Sequence, residues 1–268
     1  MQAAQSATRV APATGDLTIR PMARTIGAEV SGIDLREPLS EGLRDAVYQA
    51  LLDWKVIFFR DQDISREQHL AFGRLFGDLE VHPFAPPTDG PPEVLTIAHT
   101  PDNPGRENLW HSDVTWREKP SLGSVLRCIK SPEMGGDTLF ADMYAAYDGL
   151  SDEVKERVEG KVARHDFDGF RRRMKARGVA PERIAEMQAQ YPNPLHPVVR
   201  THPDTGRRAI YVNVAFTKEI VRMDPADRRP LLDPRYATAA TPARQCPIQS
   251  CATLTLLRAT PALRHTHT

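Results

Sequence analysis

His111 and Asp113 stand two residues apart in Trp110-His111-Ser112-Asp113, the segment of this sequence best equipped for metal chemistry. In an extended segment, side chains two apart share a face. An imidazole nitrogen and a carboxylate oxygen then converge on one point. That donor pair suits non-haem Fe(II) when a second histidine completes a facial triad and leaves other positions open. The open positions are the chemical requirement, because they must admit a bidentate 2-oxoacid and then O2. Taken alone the spacing is a weak signal, and a surface histidine beside a solvated aspartate is its plainer reading. Trp110 and Val114 change the weighting. They suggest a partly buried strand, where an unpaired carboxylate is costly.

Further along comes Gly135-Gly136-Asp137-Thr138-Leu139-Phe140. The glycines permit a tight turn, and the Thr138 hydroxyl can donate to a carboxylate. A strand threonine pairing across a ladder is the alternative use of the same residue.

These groups need a scaffold. Leu17 to Arg20 and Ile26 to Val30 read as short strands. Ser40 is an N-cap for a helix with Leu43, Val47, Ala50 and Leu51 on one face. Lys55 to Phe59 is a buried strand, because its apolar residues run together between polar ends. Ser65 and Gln68 fit a capping box, and the helix they open carries Leu75 and Phe76 to a stop at Gly77. Pro83, Pro86, Pro87, Pro91 and Pro92 mark a loop of the kind that often borders a site. Val94 to Ala98, Leu122 to Ile129 and Leu139-Phe140 read as strands. Residues 151–160 and 171–190 are helix-prone. Val198 to Thr201 and Ile210 to Val214 are strands joined by a turn at Asp204-Thr205-Gly206. No internal repeat is present. The fold class is mostly β with flanking helices (α+β).

Composition fits a globular protein: 268 residues, 40% hydrophobic and 26% charged. With 35 basic and 35 acidic residues, the net charge is zero. That argues against a broad nucleic-acid or membrane footprint. Cys128, Cys246 and Cys251 form no disulfide pattern. Residues 1–16 lack the apolar run of a secretory signal and read as a disordered tail, so the expected location is cytoplasmic.

The ordered run of motifs resembles the TauD/TfdA family of Fe(II)/2-oxoglutarate-dependent dioxygenases, most strongly its taurine dioxygenase branch. The resemblance runs from about Leu17 to about Val221. It includes Ile26-Gly27-Ala28-Glu29-Val30-Ser31-Gly32, Val56-Ile57-Phe58-Phe59-Arg60-Asp61-Gln62, Phe76-Gly77 and Trp110-His111-Ser112-Asp113-Val114-Thr115. It continues through Gly135-Gly136-Asp137-Thr138-Leu139 and His196-Pro197-Val198-Val199-Arg200-Thr201-His202-Pro203 to Tyr211-Val212-Asn213. The resemblance implies a double-stranded β-helix (jelly-roll) core. It carries over His111 and Asp113 as iron ligands, Thr138 as a donor to a carboxylate of 2-oxoglutarate, and His82 as a contact to an anionic substrate. No catalytic residue beyond the metal site is implied. Fe(II) is the implied cofactor, with 2-oxoglutarate and O2 as cosubstrates.

The implied reaction hydroxylates a small anionic organic molecule (a sulfonate, sulfate ester or aryloxy acid) and releases succinate and CO2. Nucleic acid and membrane are not among the expected partners; a homodimer or homotetramer is the expected assembly. Two taurine-contacting positions differ, being Ala85 and Glu107 here, which argues against taurine itself. Arg171-Arg172-Arg173, with Lys175 and Arg177, reads as a solvated helix face before it reads as an anion lure. Phe167, Phe170, Phe216, Trp110 and Trp116 could wall a pocket, and core packing is at least as good a reading.

The family pattern ends with a distal histidine, the third iron ligand, and an arginine that anchors the far carboxylate of 2-oxoglutarate. Neither is recognisable in this sequence. Residues 17–229 read as the dioxygenase domain. Residues 230–268 are rich in Ala, Thr, Pro and Arg, lack strand alternation, and read as an aberrant or frameshifted tail. His265 and His267 are the histidines of that tail, and no arginine follows them. The expectation is therefore a jelly roll incomplete at its C-terminus, poorly folded or inactive. An inactive remnant of such an enzyme is the first alternative; a cupin-like metal-binding protein is the second.

Overall fold

The computed structural model describes residues 17–84, 89–98, 100, 110–130 and 138–227, together with the backbone of 245–248 and 254–259. Strands β1 (Thr18–Pro21) and β2 (Ala28–Ser31) pair antiparallel at one edge of the main sheet. Helix α1 (Glu41–Trp54) starts where expected. The Ser40 hydroxyl accepts from the Leu43 N–H, and Val47, Ala50 and Leu51 form the buried face. Lys55 closes the helix in the left-handed region, at φ 64°. The chain passes directly into β3 (Val56–Phe59), which is buried along its whole length and parallel to β2. Helix α2 (Arg66–Arg74) opens with the reciprocal Ser65–Gln68 capping box.

Strand β3 is buried on both faces because each face has its own partner. Ile57 and Phe59 pack with Val47, Leu51 and Phe72 of the two helices. Val56 and Phe58 point the other way, toward Ile26 and Phe140. The rings of Phe59 and Phe72 meet edge to face at 5.5 Å.

Strands β4 (Gly123–Cys128) and β5 (Thr138–Ala141) come next, then the short helices α3 (Met143–Asp148) and α4 (Asp152–Val158). Strand β6 (Val162–His165) precedes α5 (Asp168–Ala176) and α6 (Pro181–Gln190). The region 171–190 is thus two helices, separated at Gly178 with φ +74°. Short strands β7 (Leu195–Pro197), β8 (Val199–Thr201), β9 (Arg208–Ile210) and β10 (Thr217–Ile220) follow. They form a three-stranded sheet ordered β10-β6-β7 and a separate β8-β9 hairpin. A second core cluster, with Tyr147, Val158, Ala163, Val198, Ile210 and Ile220, joins α3 and α4 to these strands.

Three expectations about the scaffold are corrected. Residues 94–98 join no sheet, since Leu95 and Ile97 are exposed. The last strand of the β8-β9 hairpin ends at Ile210, not Val214. Helix α2 ends at Arg74, short of Gly77.

Residues 230–268 include two strands: β11 (Gln245–Ile248), against β5, and β12 (Leu254–Ala259). Strand β12 lies between β3 and β4 and pairs antiparallel with both, giving the sheet order β1-β2-β3-β12-β4. Open strand edges accept backbone donors and acceptors from any extended segment, so pairing here does not require side-chain alternation. Residues 1–16, and His265 and His267, lie outside the described residues.

Candidate active site

The His111–Asp113 segment is not a strand. Residues 113–116 form a turn, closed by the Arg117 N–H donating to the Val114 carbonyl at 2.9 Å. Val114 sits at φ 49°, in the left-handed region that a β-branched residue rarely enters. The turn still does what the extended reading required. It brings His111 Nε2 to 3.1 Å from Asp113 Oδ1, so the two donors converge. The other carboxylate oxygen, Oδ2, accepts from the Ser124 hydroxyl of β4 at 3.2 Å. Both side chains are partly exposed, 34% for His111 and 42% for Asp113.

A nitrogen and an oxygen held this way fit two positions of a facial Fe(II) site. Among the described residues, no group of three His, Cys, Asp or Glu could hold a metal ion. Sequence spacing alone does not make such a site. His202-Pro203-Asp204 has the same His-x-Asp form, yet there the histidine Nδ1 accepts from the Asp204 N–H at 3.2 Å in the β8-β9 turn.

His82 lies on the far side of the same turn. Its Nδ1 accepts from the Phe84 N–H at 3.3 Å, which in a neutral ring puts the proton on Nε2. Burial lowers its pKa, and nearby Arg117 lowers it further, against the opposing pull of Asp113 and Glu80. These effects together favour the neutral ring. Thr138 opens β5 and is exposed. Gly135 to Asp137, Ala85 and Glu107 lie outside the described residues.

Between His82 and His111 runs a continuous aromatic wall. Phe84 stacks on Phe170 at 4.8 Å, Phe170 stacks on Phe216 at 6.2 Å, and Phe216 meets the His111 ring edge-on at 6.1 Å. Behind it, Trp116 and Phe167 are fully buried and serve as core. Phe170 and Phe216 are only partly buried. Most of the basic run on α5 is already paired. Arg171 contacts Asp166 at 3.2 Å and Asp168 at 2.7 Å, Arg172 contacts Asp168 at 2.7 Å, and Arg173 lies over the Phe170 ring.

Phe84 and the buried polar residues Thr115, His165 and Asn213 are members of this region that the sequence reading did not single out. Thr115 and Asn213 both lie in its quoted motifs. Neither residue type is distinctive, and His165 stands in no motif, so only their mutual contacts reveal them.

Comparison with known proteins identifies the relatives of this chain. The sequence model described as taurine catabolism dioxygenase TauD, TfdA family, matches residues 18–251. The alpha-ketoglutarate-dependent sulfate ester dioxygenase of Pseudomonas putida is 32% identical over 231 residues, 84% of this chain and 75% of that protein. The (S)-phenoxypropionate/alpha-ketoglutarate-dioxygenase of Sphingobium herbicidovorans is 32% identical over 232 residues, 84% of this chain and 80% of that one. A crystal structure of a taurine dioxygenase from Burkholderia xenovorans superposes with a TM-score of 0.74 at 31% identity, covering 92% of this chain and 80% of that one. The class is that of the 2-oxoglutarate-dependent dioxygenases, with the expected jelly-roll core and flanking helices. The chain belongs to the TauD/TfdA family.

Proposed function

We propose that this chain hydroxylates a small anionic organic substrate, a sulfonate, sulfate ester or aryloxy acid, with 2-oxoglutarate and O2 as cosubstrates and Fe(II) as cofactor. The observation that carries the reading is the convergence of His111 Nε2 and Asp113 Oδ1 on one partly open point. Relatives named for sulfate esters and for phenoxypropionate support the substrate class. Bound Fe(II) would supply O2 activation, with O2 as oxidant: one oxygen atom goes to the 2-oxoacid, which leaves as succinate and CO2, and the other to the substrate C–H bond.

The chain's own residues bind and orient. His111 and Asp113 hold the metal, and Ser124 fixes the carboxylate. Thr138 is the donor to a carboxylate of 2-oxoglutarate. The neutral His82 offers its Nε2–H to a substrate oxyanion as a hydrogen bond rather than as a charge. The Phe84–Phe170–Phe216 wall excludes water and suits an apolar or aryl body next to the anionic head. A homodimer or homotetramer is the proposed assembly.

The test is succinate production by the purified full chain, with a panel of sulfonates, alkyl sulfates and aryloxyalkanoates. The expected result is substrate-dependent succinate that His111→Ala abolishes. Turnover unchanged in His111→Ala overturns the assignment.

A second reading, an inactive family member, is favoured by one observation. Among the described residues no third metal-ligating side chain joins His111 and Asp113. We propose that residues 230–268 are an aberrant tail in which the family's distal histidine and arginine are missing. Anaerobic addition of Fe(II) and 2-oxoglutarate separates the readings: a visible charge-transfer band marks an assembled site, and no band marks a remnant.

A further inference from the structure

The turn that carries the metal pair is held from behind by a closed ring of polar groups, of which Thr115, His165 and Asn213 are buried. Thr115, two residues after Asp113, is completely buried. Its Oγ1 lies 2.9 Å from His165 Nδ1 and accepts from Asn213 Nδ2 at 3.3 Å. His165 is also fully buried, and its Nε2 lies 3.4 Å from the Thr217 hydroxyl. Thr217 Oγ1 in turn accepts from the Asn213 backbone N–H at 2.9 Å, which closes the ring. A hydroxyl both donates and accepts, so a neutral imidazole with one donor and one acceptor satisfies the circuit in either tautomer.

The ring has a rigid foundation. His165 ends β6 and Thr217 begins β10, and the antiparallel register sets the two opposite each other. Asn213 is fixed by a second bond, its Oδ1 accepting from the Phe216 N–H at 2.9 Å. The His196 ring meets the His165 ring at 5.0 Å, and the His196 Nε2 is 2.9 Å from the Arg117 carbonyl at the end of the same turn. The turn is thus gripped at Thr115 and at Arg117, just beyond the pair.

The backbone between the pair and the grip is the strained part. A β-branched residue in the left-handed region is strained and persists only when its surroundings hold it there. Val114 is that residue, at φ 49°, between Asp113 and Thr115. If the Thr115 hydroxyl lost its partners, Val114 could relax to an ordinary conformation, and Asp113 would swing away from His111.

We propose that Thr115 is a positioning residue of the metal pair, acting through its hydrogen-bonded ring with His165, Asn213 and Thr217 to hold the Val114 turn in its strained, donor-converging form. The proposal rests on the reading of His111 and Asp113 as metal ligands, and the test separates the two. Thr115→Val keeps shape and removes the hydroxyl; Thr115→Ser keeps the hydroxyl. The full chain of each is compared by hydrogen exchange of the 111–117 segment, with α1 as internal reference, and by Co(II) affinity.

Expected for Thr115→Val is exchange about 10-fold faster in 111–117 with α1 unchanged, and Co(II) binding weakened about 10-fold, the lower end for loss of a group supporting a ligand. Thr115→Ser should restore both to within about twofold. Unchanged exchange in Thr115→Val, acceleration shared equally by α1, or failure of serine to restore overturns the proposal. Asn213→Ala, which removes the other grip on Oγ1, gives the same local exchange signature if Thr115→Val fails to fold. Wild-type chain that binds no Co(II) overturns the metal reading, and exchange alone then decides the positioning role.

Discussion

Acid should destabilise this protein through His165. The side chain is fully buried, and burial, with the neighbouring His196 charge adding to it, lowers its pKa from 6.5 to about 3. The folded protein therefore keeps the ring neutral, whereas the unfolded chain takes up a proton below the ordinary value. Stability from this group is complete above pH 6.5 and is lost as the pH falls toward 3.

One full proton of difference corresponds to about 1.4 kcal/mol per pH unit, so acidification to about pH 5 removes roughly 2 kcal/mol. Burial also lowers the pKa values of His69, His82 and His196, so they act in the same direction. The comparison with His165→Asn isolates the one residue. Urea midpoints measured from about pH 7.5 to about pH 5 should fall steeply for the wild type. The unfolding free energies from those curves should fall less steeply for the variant, by about 1.2 kcal/mol per pH unit in the lower half of that range. Identical slopes in the two proteins would refute a neutral, proton-excluding His165.

Other expected outcomes test the scaffold. Phe59→Ala removes a fully buried ring that meets Phe72 edge to face, and should cost about 3–5 kcal/mol, read as a lowered denaturant midpoint. Ser65→Ala deletes the side chain that accepts from the Gln68 N–H at the start of α2, and should cost about 1 kcal/mol by the same measurement, with little effect on ligand binding.

The sequence carried the local structure well where local rules suffice. The Ser40 cap, the Ser65–Gln68 box and the unbroken apolar run of β3 each encode their element within a few residues, and all three form as read. Strands β6, β7 and β10 were not legible. They are three or four residues long, and Val162-Ala163-Arg164-His165, Leu195-His196-Pro197 and Thr217-Lys218-Glu219-Ile220 carry too few apolar positions to set a period. Their pairing with distant partners makes them strands. Val94 to Ala98 shows the converse, an apolar run with strand-like composition that joins no sheet.

For the site, the sequence by itself determined which atoms are available: an imidazole at 111, a carboxylate at 113, and the ordered motifs that place the chain in its family. It did not determine how they converge, because the extended reading and the observed turn give the same residue list with different backbones. Tertiary structure decided that, through the Val114 conformation and the grip on Thr115 by groups up to about a hundred residues away. The physical reason is that donor identity is a property of single residues. Donor geometry is set by long-range hydrogen bonds and packing, which short-range pattern does not record.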